Sequence, residues 1–111
     1  MIVVEGKRDV ASLRKLGIMG PIETSTHIPV LELSVKLVEK GKEIIILTDW
    51  DRRGDLLSSK ISSDLQYLGL KVDTDFRMTL SSLVKKEIKD VESLYSYMKK
   101  MRSCVNKDET Y

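Results

Sequence analysis

Apolar and polar positions alternate along this chain in blocks, a short apolar run and then a stretch with helical spacing, repeated three times. Ile2-Val3-Val4 is the first run, and after it Val10, Leu13 and Leu16 recur at helical spacing up to Gly17, with Asp9 placed to cap the helix. A short strand is expected around Pro21 to Thr24, followed by Pro29 in the first turn of a second helix. There Val30, Leu33, Leu37 and Val38 stand at i, i+3, i+7 and i+8, and Gly41 ends the period. Ile44-Ile45-Ile46-Leu47-Thr48 is the next buried strand. From Arg52 to Leu68 a third helix carries Leu57, Ile61, Leu65 and Leu68 on one face, stopped by Gly69.

Lys71 to Met78 alternates strictly, with Val72, Thr74, Phe76 and Met78 against Lys71, Asp73, Asp75 and Arg77, and so predicts a fourth strand at the sheet edge. Two further helices are expected near Leu80 to Ile88 and Val91 to Met101, the latter with Leu94, Tyr97, Met98 and Met101 as a core stripe. Strand and helix in alternation imply an α/β fold, a mostly parallel sheet of about four strands with right-handed crossovers and helices on both faces. The 111 residues suffice for one core but not for two. One domain over residues 1–104 is expected, with residues 105–111 as a frayed tail.

Composition narrows the classes. A net charge of +2 gives no bulk attraction to nucleic acid, so any phosphate binding must come from local placement of charge. Cys104 is the lone cysteine, which rules out an internal disulfide and a thiolate-rich zinc site and suits a reducing compartment, so a cytoplasmic location is expected. No apolar run approaches the ~20 residues of a membrane span.

The candidate chemistry sits at strand ends. In open α/β sheets ligands gather just beyond the carboxyl ends of the strands. The first strand runs into Glu5-Gly6-Lys7-Arg8, and the third into Asp49-Trp50-Asp51-Arg52-Arg53-Gly54-Asp55. Three carboxylates about 5 Å apart would repel pairwise by roughly 3 kcal/mol at an effective dielectric near 20, which a divalent cation relieves. Asp49 and Asp51 supply the oxygen ligands that Mg²⁺ takes while keeping several waters. Glu5, on a separate strand, could join them or act as general acid or base. Lys7, Arg8, Arg52 and Arg53 stand beside the acids and could neutralise phosphate, arginine with the better bidentate geometry.

Val3-Val4-Glu5-Gly6-Lys7-Arg8-Asp9 followed about 45 residues later by Asp49-x-Asp51 resembles the two motifs of Toprim domains, in their order and on their elements, over nearly the whole chain. The closest likeness is to stand-alone small Toprim proteins and the Toprim domain of the 5S ribosomal RNA maturase. The resemblance implies a Rossmann-like fold, Mg²⁺ (or Mn²⁺), and action on RNA or DNA, with Glu5, Asp49 and Asp51 catalytic and metal-binding and Glu5 favoured for proton transfer. It also places Asp55 where topoisomerase-like motifs carry a further acid, although Arg53 stands where another acid is often found.

Three classes follow. The leading one is a Mg²⁺-dependent enzyme cleaving phosphodiester bonds, since the chain has no room for the other domains of a topoisomerase or primase. The second is a non-catalytic, metal-dependent RNA- or DNA-binding module within a larger assembly. The third is a receiver-like phosphate domain, for which Ile46-Leu47-Thr48-Asp49-Trp50 argues and the single Glu5 after the first strand argues against. A homodimer or a protein partner would enlarge the contact with a two-stranded substrate. Asp73-x-Asp75 reads as solvent-facing and His27, without partnered ligands, as structural.

Overall fold

The computed structural model describes residues 1–41 and 43–109, with only the backbone described for 106–109. Four parallel strands, β1 (Ile2–Val4), β2 (Ile22–Thr24), β3 (Ile44–Ile46) and β4 (Val72–Asp73), form one sheet in the order β2-β1-β3-β4. Helices α1 (Lys7–Lys15), α2 (Val30–Lys40) and α3 (Arg52–Tyr67) make the connections between them, and α4 (Asp75–Val84) and α5 (Leu94–Glu109) follow β4.

Strand order and the handedness rule together account for the layers. From β1 the chain steps outward through α1 to β2, then returns past β1 through α2 to β3, and continues the same way through α3 to β4. With crossovers of one hand, reversing the direction of travel moves the helix to the opposite face. Two cores result. Val3, Ile44 and Ile46 pack with Leu33 and Leu37 of α2 and Ile61 and Leu65 of α3. Val4 and Leu47 point the other way, to Leu13 of α1, to Val91 in the connection before α5 and to Leu94 at its start. The period of two along a strand thus divides adjacent residues between two hydrophobic layers, each fully buried.

Several expectations are corrected. The strand expected over Lys71 to Met78 stops at Asp73 and gives way to a helix two residues later. Asp73 causes the switch: its Oδ1 accepts from the backbone N–H of Asp75 at 2.8 Å and of Phe76 at 3.1 Å, meeting donors that the first helical turn leaves free. The helix expected to begin near Leu80 therefore begins at Asp75. Asp9 does not precede α1 but sits inside its first turn, buried, accepting from Gly6 N–H at 3.0 Å. The last helix starts at Leu94 and runs to Glu109, through most of the stretch read as a tail; residues 110 and 111 lie outside the described residues. Of its expected core stripe Leu94 is buried, whereas Met98 and Met101 are exposed, because α1 is short and covers only the first turns of α5.

Candidate functional site

Between β1 and β3 the path of the chain reverses, since β1 leads outward on one side and β3 and β4 lie on the other. A crevice opens at the carboxyl ends of strands at such a switch point. Glu5 leaves β1 there, and Asp49 leaves β3 three residues past its end. The parallel register, Ile2 beside Ile45 and Val3 beside Ile46, carries the two to one place. Glu5 Oε2 accepts from the backbone N–H of Asp49 at 3.2 Å, and both residues are half-buried.

Local bonding fixes each acid. Asp49 Oδ1 accepts from Val91 N–H at 3.0 Å, while Trp50 donates from its backbone to Lys89 O at 3.1 Å and from its indole to Ile88 O at 2.6 Å. The connection from α4 to α5 is in this way fastened across the site. Asp51 caps α3, its Oδ1 accepting from Gly54 N–H at 2.6 Å, and is exposed. The same turn is closed from inside by the buried Thr48 hydroxyl, which donates to Gly54 O at 2.8 Å. On the β2 side, Thr26 donates from its backbone to Glu5 O at 2.9 Å and from its hydroxyl to the same oxygen.

A cavity of about 320 Å³ lies over this pair, lined by Glu5, Gly6, Lys7, Arg8, Asp9, Thr26, Asp49, Arg53 and Glu92. Five of the residues singled out in the sequence, Glu5, Lys7, Arg8, Asp49 and Arg53, therefore share one wall-to-wall space. Asp51 and Arg52 are exposed and outside that lining, although the Asp51 charge is felt at Glu5. Asp55 stands apart from it. Its Oδ1 pairs with Arg77 Nη2 at 2.6 Å, beside a separate groove of about 510 Å³ between α3 and α4 that is rich in serine. Arg8 is paired with Glu92 at 3.4 Å, both exposed, a contact of small energetic weight. Sequence reading missed Glu92 and Arg77, which carry no motif of their own, and the role of Gly54, whose place in Asp-x-Asp-x-x-Gly offered a usable signal.

Crowding of acids shapes the electrostatics. Burial first, and then the Asp49 carboxylate beside it, push Glu5 up from 4.5 to about 7. Asp9, one turn away, is also raised, mainly by burial, with Asp49, Glu92 and Asp90 contributing. A carboxyl raised on folding binds its proton more tightly in the folded than in the unfolded chain. Its stabilising contribution is thus complete below pH 4.5 and is lost as pH climbs toward 7. In chelator, wild type should lose stability against Glu5→Gln over that interval, read as a widening gap in Tm; parallel curves would show that Glu5 does not titrate there.

The donor set suits a hard divalent cation. Two half-buried carboxylates face one cavity, the Asp49 charge opposing ionisation of Glu5, and the donors are oxygen throughout. Among the described residues no three His, Cys, Asp or Glu side chains converge into a complete cage. Mg²⁺ needs none, since it is commonly held by one or two carboxylates and keeps its remaining waters. Asp49 would hold it, with Asp51 close enough to add charge and Glu5 beside them to share the ion or to exchange a proton next to it.

A Toprim domain profile matches residues 1–83, a span that holds all four strands and both acidic strand ends, so the chain belongs to the Toprim family. Toprim domains typically bind a divalent metal such as Mg²⁺ and belong to metal-dependent nucleic-acid processing. Among its relatives, the UPF0292 protein of Methanosarcina barkeri is 52% identical over 92% of this chain and 71% of its own length. That of Methanocaldococcus jannaschii is 43% identical over 89% of this chain and 78% of its own. A solved structure of a protein from Aquifex aeolicus superposes with a TM-score of 0.69 at 29% identity, over 84% of this chain and 82% of that one. Among the described residues no helix is long and apolar enough to cross a membrane.

Proposed function

We propose that this protein is a Mg²⁺-dependent enzyme that cleaves phosphodiester bonds in RNA or DNA. The observation that carries the reading is the meeting of Glu5 and Asp49, from separate strand ends, in a cavity also lined by Lys7, Arg8 and Arg53. The cation, when bound, supplies neutralisation of charge developing on the phosphoryl oxygens. Lys7, Arg8 and Arg53, all exposed, bind the phosphates of the incoming strand and orient the scissile bond over the carboxylates. Glu5 exchanges the proton. Standing beside Asp49 in the cavity wall, its carboxyl accepts a proton from an attacking oxygen or donates one to the leaving oxygen, while Asp49 holds the cation.

A second reading, metal-dependent binding of nucleic acid without cleavage, has a specific observation behind it. One oxygen each of Asp49 and Asp51 is committed to a backbone N–H, leaving a sparse set of free ligands. Incubation with labelled RNA and DNA panels in Mg²⁺, in Mn²⁺ and in chelator separates the two: new ends that appear only with metal support the enzyme, and retention without new ends supports the binder.

Metal binding itself is expected to stabilise the fold. At a Kd of about 1 mM, about 10 mM Mg²⁺ adds roughly 1.4 kcal/mol, or a rise in Tm of roughly 4 to 6 °C for a domain of this size. Asp49→Asn with Asp51→Asn should abolish the rise without unfolding the protein, because asparagine still accepts from Val91 N–H and still caps a helix. A rise of unchanged size in that double variant would place the metal elsewhere.

A further inference from the structure

β4 ends at Asp73, opposite Ile45, but the chain leaving β3 runs on to Asp49 with no strand beside it on that flank. The carbonyls of Thr48 and Asp49 therefore have no partner in the sheet. Arg77, from the first turn of α4, provides one for both. Its Nε donates to Thr48 O at 2.9 Å, and its Nη2 donates to Asp49 O at 2.5 Å and to Asp55 Oδ1 at 2.6 Å. The side chain is only 12% exposed, so the charge is withdrawn from water and is compensated by these three acceptors. α4 can present it because Asp73 starts the helix next to the end of β3.

The Asp49 carbonyl is also confined by α3. Gly54 lies so near that a Cβ there would stand 1.7 Å from that oxygen. Held between the guanidinium and the Gly54 backbone, the peptide has no freedom to rotate, and its rotation is what would carry the Asp49 carboxylate away from Glu5 and Val91 N–H.

We propose that Arg77 is a positioning residue: by gripping the Thr48 and Asp49 carbonyls it sets the Asp49 carboxylate against Glu5, and Asp55 anchors the guanidinium instead of ligating metal. The inference rests on the reading of that acidic pair as the metal centre. Its grip, however, is measurable without metal. In Arg77→Met, the Val91 and Gly54 amides, which donate to Asp49 and Asp51, should exchange with solvent about tenfold faster, as loss of a charged hydrogen bond implies. The Ile45 amide, bound to Met1 O in the sheet, should hold its rate. The Mg²⁺ concentration that half-saturates the emission change of Trp50 should rise about tenfold or more, the usual consequence of losing a residue that supports a ligand. Arg77→Lys should recover part of both effects, and Asp55→Asn, on an exposed residue, should move both in the same direction by less.

Unchanged Val91 and Gly54 exchange in Arg77→Met and Arg77→Lys would overturn the proposal. So would equal acceleration at Ile45, which marks a loss of stability alone. Should Arg77→Met fail to fold, Arg77→Lys and Asp55→Asn carry the same comparison. Wild-type emission indifferent to Mg²⁺ would count against the metal reading only, because amide exchange judges Arg77 separately.

Discussion

Glu5→Gln is expected to lower cleavage by about 100-fold or more while nucleic-acid affinity holds or rises. Glutamine has the volume of glutamate and an oxygen that still accepts from Asp49 N–H, so the turn geometry survives the change. What disappears is the capacity to take up and release a proton, and loss of general acid-base catalysis costs about 10² to 10⁴ in rate. Affinity should not fall, because the substitution removes a negative charge from a cavity that must admit phosphate beside Lys7, Arg8 and Arg53. Single-turnover cleavage and equilibrium binding, measured on one labelled substrate, check both halves. Turnover near that of wild type would remove Glu5 from the proton path, and a parallel loss of affinity would give it a binding role instead.

Among alanine substitutions at the glycines, Gly54→Ala should be the most damaging. The added Cβ would fall 1.7 Å from Asp49 O and 2.6 Å from Asp49 C, both backbone atoms, and 3.0 Å from Asp51 Oδ1. No side-chain rotation relieves a clash with backbone. Either α3 moves away, breaking the bonds from Gly54 N–H to Asp51 and from Thr48 to Gly54 O, or the Asp49 peptide moves and takes its carboxylate with it. Overpacking in a closed site costs about 3 kcal/mol or more when the backbone must shift, equivalent to a fall in Tm of about 12 °C or more. Gly6→Ala is the fitting comparison, since its Cβ would meet only Thr26 Oγ1 at an ordinary 3.6 Å. It should cost no more than the ~1 kcal/mol of a poorer helix cap. Melting curves for the two variants, with and without Mg²⁺, test this. A Gly54→Ala protein that melts with wild type and keeps its response to Mg²⁺ would show that the turn tolerates the methyl.

The contrast between α3 and α4 shows what could be read beforehand. α3 was legible to within a residue, because Asp51 before it, the recurrence of Leu57, Ile61 and Leu65, and Gly69 after it all state the same thing. Residues 74–78 were misread because strict alternation over so few positions is compatible with either element, and the deciding event was two hydrogen bonds to Asp73. Met98 and Met101 were misread for a related reason. A helical stripe states which residues share a face, but only the length of α1 decides how much of that face is covered.

By itself, then, the sequence determined the α/β class, the two acidic strand ends and the basic residues that follow them. These depend on periodicity and on residues near in the chain, and local sterics and burial of apolar surface act on them directly. Only the tertiary structure decided which acids meet. Strand order put β1 beside β3, and register then brought Glu5 to Asp49 across 44 positions of chain. Asp51 was drawn to the cap of α3 and Asp55 to Arg77, each by the nearest unsatisfied donor. Val91 and Arg77 hold Asp49 from elements later in the chain, and no spacing announces such bonds because their partners are chosen by packing. A motif lists acids that could gather, and the packed sheet, by fixing which donors lie within about 3 Å of each oxygen, selects those that do.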